Sequence, residues 1–504
     1  MSTWLKHRSA GVLLHIASLP GPHGIGDFGP AAHEFLDWLT AAGFRWWQVL
    51  PLNPTDPFYG SSPYRSISSY ALSPLFVSPE LLVADRLLDD DCLPGIAGRP
   101  DRRSVVNYPA VARSKALLLD AAWPGVAARF PGRLRRFCTD EADWLDDYAL
   151  FVALKHRYAG TAWTTWPIEL RDRESVALAR VRGELVEEIR QVKAVQFILD
   201  LQWRRLRALC LKRGIGIIGD LPIYPDHDSA DVWANRRYFK LDRTGQPRFV
   251  AGVPPDYFSK TGQLWGNPVY DWSALGHDGY RCWLDRIGRA LRLYDAVRID
   301  HFRGLAAAWQ IPARARTAED GRWARVPTEQ LIAALKERFP EMPFIAEDLG
   351  HITPAVIRAR KRSGLPGMKV AVFGFGDNRS PHRPDRVPSE TVLYTSTHDT
   401  NTVRGWFEDE ARPEERRRLA VWLKKPVSGR VVAEELVQHC LAGPARLAMI
   451  PVQDLLGLGT RARMNTPATS RGNWRWRLRS GQLTDCLASR VKVILTETGR
   501  LASH

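Results

Sequence analysis

Apolar positions along the chain gather into short, nearly uninterrupted runs, each closed by polar, Gly or Pro residues. These runs lie at Gly11–Ala17, Trp46–Leu50, Gly216–Leu221, Ala296–Asp300, Phe344–Glu347, Met368–Phe373, Thr391–Thr395 and Arg446–Val452. A continuous apolar run suits a strand buried on both faces, as in a parallel sheet, whereas one wet face would impose strict alternation. Amphipathic helical patterns follow several of them, at Pro30–Ala42, Val195–Arg213, Tyr280–Leu293, Thr328–Arg338 and Pro354–Ser363. Eight strands interleaved with helices predict a closed (β/α)8 TIM barrel rather than an open sheet of five or six strands.

The spacing of the runs is uneven. From 55 to 194 no buried strand is legible, and this segment reads as a largely helical insertion. A second excursion, 225–277, is rich in Pro, Gly, Asp and aromatic residues and reads as a loop-rich insertion covering an active-site groove. Long excursions after barrel strands carry function, because barrel active sites lie at the C-terminal ends of the strands. The reading is one catalytic barrel over 1–504, with both insertions and no C-terminal β-sandwich domain.

Composition changes this picture little. The chain is 45% hydrophobic and 25% charged, as in ordinary globular proteins. The six cysteines are scattered without a CxxC pair, which predicts buried thiols in a reducing compartment. The apolar start beyond Lys6 and Arg8 is broken by His15 and lacks a cleavage site, so a signal peptide is not expected. No stretch approaches the ~20 apolar residues of a membrane helix. A cytoplasmic protein with no membrane partner is the expectation. The net charge of +16 raises the possibility of a nucleic-acid partner. However, the arginines spread over many helical faces, and no recognition motif accompanies them, so no specific nucleic acid is expected.

The chemistry sits at the ends of the runs. In Val297-Arg-Ile-Asp300, strand alternation puts Arg298 and Asp300 on one side and Val297 and Ile299 on the other. An Arg beside a carboxylate favours its ionised form, although an internal ion pair would look the same in sequence. The run Phe344–Glu347 ends in Glu347 and Asp348, either of which could be the catalytic acid. Neighbouring strands lie ~4.8 Å apart, so carboxyls at their ends suit the ~5–5.5 Å separation of a retaining glycosidase. His398 and Asp399 follow a third run, and Asp220 closes a fourth. Two GxGxxG matches, Gly214/Gly216/Gly219 and Gly24/Gly26/Gly29, lack the context of a dinucleotide site and read as tight turns. Loop aromatics, namely Tyr59, Tyr64, Tyr257, Phe258 and Trp265, favour sugar stacking over a phosphate site.

Taken together, Gly24–Gly29, Val253-Pro-Pro-Asp-Tyr-Phe258, Gly262-Gln-Leu-Trp-Gly-Asn-Pro268, Val297–Arg303, Ile345–Gly350 and Gly472–Arg477 resemble the 4-α-glucanotransferases of the amylomaltase type, within the α-amylase clan. The likeness covers nearly the whole chain. It implies transfer of α-1,4-glucan segments by a retaining double displacement, with maltooligosaccharides as substrates and no cofactor or metal. Residue by residue it implies Asp300 as nucleophile, Glu347 as general acid/base and Asp399 as transition-state stabiliser. Arg298 would orient Asp300, and His398 would assist Asp399. Asp220 and His301 would border the donor subsites, Tyr59 would stack on the sugar beside the cleavage point, and Trp265 would hold the acceptor. Thr400 and Asn401, Ala468 and the stretch 374–386 depart from the family pattern. A glucan hydrolase and a catalytically inactive glucan-binding protein are the alternatives.

Overall fold

The computed structural model describes residues 5–55, 60–89, 91, 105–255, 260–350, 352–469 and 471–502. All eight apolar runs form strands: β1 (Ser9–Leu13), β2 (Trp46–Gln48), β3 (Gly216–Leu221), β6 (Ala296–Ile299), β9 (Phe344–Ala346), β10 (Gly367–Val370), β11 (Thr391–Tyr394) and β12 (Leu447–Pro451). They close in the order β1-β12-β11-β10-β9-β6-β3-β2, every pairing parallel. Val12, Ile217, Val297, Ile345, Val392 and Ile450 are all fully buried, as the absence of alternation requires. The barrel strands stop one or more residues before Asp300, Glu347 and His398, leaving these side chains at the C-terminal rim.

Helices Pro30–Ala42, Thr328–Arg338 and Pro354–Ser363 have the expected bounds, and Arg281–Leu293 starts one residue late. The helix expected over Val195–Arg213 instead runs Val186–Lys212. Its first turns carry exposed Val186, Glu187, Glu188 and Arg190, so the hydrophobic period begins only near Ala194. Between β2 and β3 the chain forms further helices, among them Tyr108–Arg129, Pro131–Asp140 and Ala142–Arg157. After β12 come short helical turns and Asp485–Glu497, which packs beside Pro30–Ala42 and anchors there through Trp38 Nε1 to the Thr484 carbonyl (3.2 Å).

The expectation of loop over 225–277 omits two strands. β4 (Phe249–Val253) and β5 (Gln263–Pro268) pair antiparallel with each other, and β4 pairs with β7 (Ala307–Pro312), which pairs with β8 (Arg322–Arg325). This four-stranded sheet, ordered β5-β4-β7-β8, brings together the excursions that follow β3 and β6. β8 is exposed at Arg322, Trp323 and Arg325, so it has no apolar face for a sequence pattern to betray.

Two other expectations need correction. Gly216 and Gly219 are not turn residues; they lie within β3, where a Cβ would come 2.4 Å from the Trp46 ring and 2.1 Å from the Tyr294 ring. Glycine is needed there for close packing. Of the five described cysteines, all unpaired, only Cys210 and Cys440 are buried; Cys138 and Cys282 are half-buried and Cys486 is exposed. Cys92 lies outside the described residues. Among the described residues no helix is long and apolar enough to cross a membrane.

Candidate active site

The barrel rim opens into a groove of about 920 Å³, lined by Asp300, Glu347, Asp399, Arg298, His301 and Trp265 among others. β3 and β6 are neighbours whose register sets Asp220 directly across from Arg298. Arg298 Nη1 therefore lies 2.8 Å from both Asp220 carboxylate oxygens and 2.9 Å from Asp300 Oδ1. Both Asp220 and Arg298 are buried, so this is a desolvated, charge-assisted contact in which one nitrogen faces both carboxylate oxygens. The same Nη1 thus bridges the Asp220 and Asp300 carboxylates.

Glu347 stands at the end of β9, the strand next to β6. Its Oε2 accepts the His301 backbone N–H (2.8 Å) and its Oε1 the Leu349 N–H (2.9 Å). His301 adopts a left-handed backbone, φ 49°, which turns that N–H toward Glu347. A non-glycine residue pays roughly 1–2 kcal/mol for this conformation. The neighbouring Asp348 points elsewhere: it accepts the Met368 N–H at 2.7 Å, pairs with Arg360 Nε at 3.0 Å, and does not line the groove. The ambiguity between the two carboxyls is thereby resolved in favour of Glu347 as the one that meets the groove.

Burial raises both groove carboxyls. Asp300 is raised to about 6, with Arg298 opposing and Asp220 and Asp399 adding to the rise. Arg298 alone does not keep Asp300 at a low pKa, contrary to the simple expectation for an Arg neighbour. Glu347 is raised to about 7, again with Arg298 opposing and Asp300 adding. Burial also pushes Asp399 upward, but His398 and Asn465 overcome it and hold this carboxylate well below its usual range. The contacts are His398 Nε2 to Asp399 Oδ2 (3.1 Å) and Asn465 Nδ2 to Asp399 Oδ1 (2.7 Å). In turn burial depresses His398, and Asp399 more than reverses that, so the imidazole is raised. Burial lowers His301 to about 4, leaving that ring neutral.

Two expected contact residues sit one layer back. Asp220 and His398 are buried and do not line the groove; Tyr64 lies between them, donating to Asp220 Oδ2 (2.6 Å) and standing 2.7 Å from His398 Nε2. Trp265 is carried by β5 and meets the His301 ring edge-on at 4.8 Å, so the antiparallel sheet delivers it to the rim. Tyr59, Tyr257 and Phe258 lie outside the described residues. Sequence reading singled out Tyr64 only as a loop aromatic, and it passed over Asn465 and Trp474. Trp474 packs on Tyr64 and His398 with centroids 5.7 and 6.1 Å apart. The signal for Trp474 was the 472–477 match, which pointed to the segment and not to its partners; Asn465 lies outside every motif singled out in the sequence.

Ala468, one of the departures from the family pattern, lines the groove with φ 63°, in the left-handed region that favours glycine. Relief of the left-handed strain, about 1–2 kcal/mol, is offset by about 0.4–1 kcal/mol of glycine's extra unfolded-state entropy. Ala468→Gly is therefore expected to stabilise the protein by roughly 0–1.6 kcal/mol. Thermal unfolding of the two proteins side by side checks this, and a destabilised variant would contradict it.

Comparison with known proteins adds identity to this geometry. A family model described as 4-alpha-glucanotransferase matches residues 14–484. A 4-alpha-glucanotransferase of Aquifex aeolicus is 45% identical over 475 residues, spanning 94% of this chain and 96% of that protein. One from Thermus thermophilus is 44% identical over 506 residues, spanning 98% and 99%. Among solved structures, the amylomaltase from Streptococcus agalactiae in complex with acarbose superposes with a TM-score of 0.94 at 35% identity, covering 98% of this chain and all of that one.

Proposed function

The chain belongs to the 4-alpha-glucanotransferase family, whose activity moves α-1,4-glucan segments between sugars, and we propose that it does so by double displacement through Asp300 and Glu347. The observation that carries this reading is the placement of two burial-raised carboxyls at the ends of the adjacent strands β6 and β9, both facing one groove. Adjacent strand ends about 4.8 Å apart suit the ~5–5.5 Å separation that retaining chemistry needs.

In the first half-reaction the Glu347 carboxyl gives its proton to the glycosidic oxygen as the C1–O bond breaks. The Asp300 carboxylate forms a bond to C1, and the fragment beyond the cleavage point leaves with a new hydroxyl. In the second, Glu347, now ionised, takes the proton of an acceptor 4-hydroxyl while that oxygen displaces Asp300 from C1. Two inversions restore the α configuration. Arg298, anchored by Asp220, directs the attacking oxygen of Asp300, and ionised Asp399 stabilises positive charge on the ring at the transition state. Trp265, His301 and Tyr59 contact the sugars, while Asp220 and His398 act from behind through Arg298 and Asp399.

Maltooligosaccharides are the substrates we assign. That the solved relative holds acarbose, an oligosaccharide analogue, in a chain superposing over this one supports the assignment. Free thiols, including exposed Cys486, support a reducing, cytoplasmic setting. The test is incubation of the purified protein with maltotriose and chromatography of the products. The expected result is released glucose together with maltopentaose and longer sugars. Shorter sugars alone, with rising reducing ends, would overturn transfer in favour of hydrolysis.

A further inference from the structure

We infer that Asp454 is a positioning residue, clamping both ends of the segment that carries His398 and Asp399. Asp454 lies in the helical turn Val452–Leu455 directly after β12. The segment in question leaves β11 at Thr395 and enters the next helical turn at Val403. At its start, Thr395 Oγ1 and Ser396 Oγ each donate to Asp454 Oδ2 at 2.6 Å. At its end, the Val403 backbone N–H donates to Asp454 Oδ1 at 2.8 Å. One carboxylate thus fixes residues 395, 396 and 403, with Asp399, which lines the groove, and His398 behind it between them.

Stability alone accounts poorly for a carboxylate here. Asp454 is buried, and no cation pairs with it among the described residues. A charge without a counter-ion is costly to bury, and here only the three hydrogen bonds it accepts offset that cost. What the charge contributes is strength and direction: hydrogen bonds to an ionised acceptor are shorter and about twice as strong as neutral ones. Between the clamped ends the backbone is held by local contacts, Thr397 N–H to Thr400 Oγ1 (2.9 Å) and Asp399 N–H to Thr397 Oγ1 (3.3 Å), while the side chains of His398, Asp399 and Asn401 reach Tyr64, Asn465, and Glu410 with Thr460. Without the clamp, residues 395, 396 and 403 lose their tie to the turn after β12, and the side-chain contacts of His398 and Asp399 alone set the segment's placement. Asp399 then shifts relative to Asp300 and Glu347.

This inference rests on the assignment of Asp399 to the transition state. The test compares Asp454→Asn, Ser396→Ala, Asp399→Asn and the double variant Asp399→Asn/Asp454→Asn in maltotriose disproportionation, with melting temperatures alongside. Misplacement of a catalytic group by about 1 Å costs on the order of 100-fold. Asp454→Asn is therefore expected to lower kcat about 10- to 100-fold with KM within about twofold, and Ser396→Ala to do the same to a smaller degree. In the Asp399→Asn background, Asp454→Asn is expected to cost less than about threefold more, because the group it positions is already gone. An unchanged kcat in Asp454→Asn, or an undiminished loss in the double variant, would overturn the clamp. Should Asp454→Asn fail to fold, Ser396→Ala decides alone: a kcat loss with KM held supports the clamp, and wild-type kinetics overturn it. Wild-type activity in Asp399→Asn would instead overturn the assignment of Asp399 itself.

Discussion

Asp300→Asn is expected to lower the rate of maltotriose disproportionation by at least about 10⁴-fold without lowering the melting temperature. An amide at this position keeps the shape of the side chain but cannot form the ester to C1, so the first half-reaction has no nucleophile. A 10⁴-fold loss corresponds to about 5.5 kcal/mol of transition-state stabilisation. The stability half of the prediction follows from the electrostatics. Asp300 is a half-buried carboxyl near two others, Asp220 and Asp399, and its pKa is raised. A raised carboxyl pKa means that ionising it is harder in the folded state than in the unfolded chain, so above about pH 6 its charge destabilises the fold. Replacing it with a neutral isostere removes that cost, while Arg298 remains paired with Asp220. The expected pattern is a dead enzyme with an equal or higher melting temperature at pH 7, read by chromatography and calorimetry. A loss below about tenfold would exclude Asp300 as the nucleophile; a large drop in melting temperature would mean that its role is structural.

The barrel was legible because its strands are buried on both faces, and burial of that kind leaves a mark on the sequence at every position. Ala296–Ile299 and Thr391–Tyr394 show this plainly. The acidic residues were legible for the complementary reason: Asp220, Asp300, Glu347 and Asp399 interrupt or follow apolar runs, where a charge has no packing role. Elements without a one-dimensional signature stayed hidden. β5 and β8 are half-exposed and of mixed polarity, and they form strands because they find partners across the excursions after β3 and β6. The choice between Glu347 and Asp348 turned on which carboxyl Arg360 and the Met368 N–H capture, a long-range fact. The same applies to Tyr64 between Asp220 and His398, to Asn465 on Asp399, and to Asp454 under the 395–403 segment. Each joins residues distant in the chain, and the motifs that carry the family resemblance include none of Tyr64, Asn465 and Asp454.

The second large effect concerns Glu347, and it is expected to appear in the pH profile as well as in the rate. The productive free enzyme has Asp300 ionised and Glu347 protonated. Activity must then rise as pH passes upward through the Asp300 step, about 6, and fall through the Glu347 step, about 7. A narrow bell in kcat/KM with its maximum between these values is expected, its limbs belonging to the coupled pair. Glu347→Gln removes the general acid and base together. It is expected to cost about 10²–10⁴-fold on maltotriose and to abolish the falling limb, since the amide does not titrate. The leaving group offers a sharper discrimination. A maltosyl fluoride needs no proton for departure, so its first half-reaction should proceed in Glu347→Gln at near the normal rate. The second half-reaction still lacks its base and stalls, so the glycosyl–Asp300 ester should accumulate and be seen as added mass on the peptide containing Asp300. If the fluoride reacts no faster than maltotriose in Glu347→Gln, the residue is not the acid. If fluoride is released but no ester is trapped, it is not the base for the acceptor. Should the falling limb survive in Glu347→Gln, the proton that governs it belongs to another group.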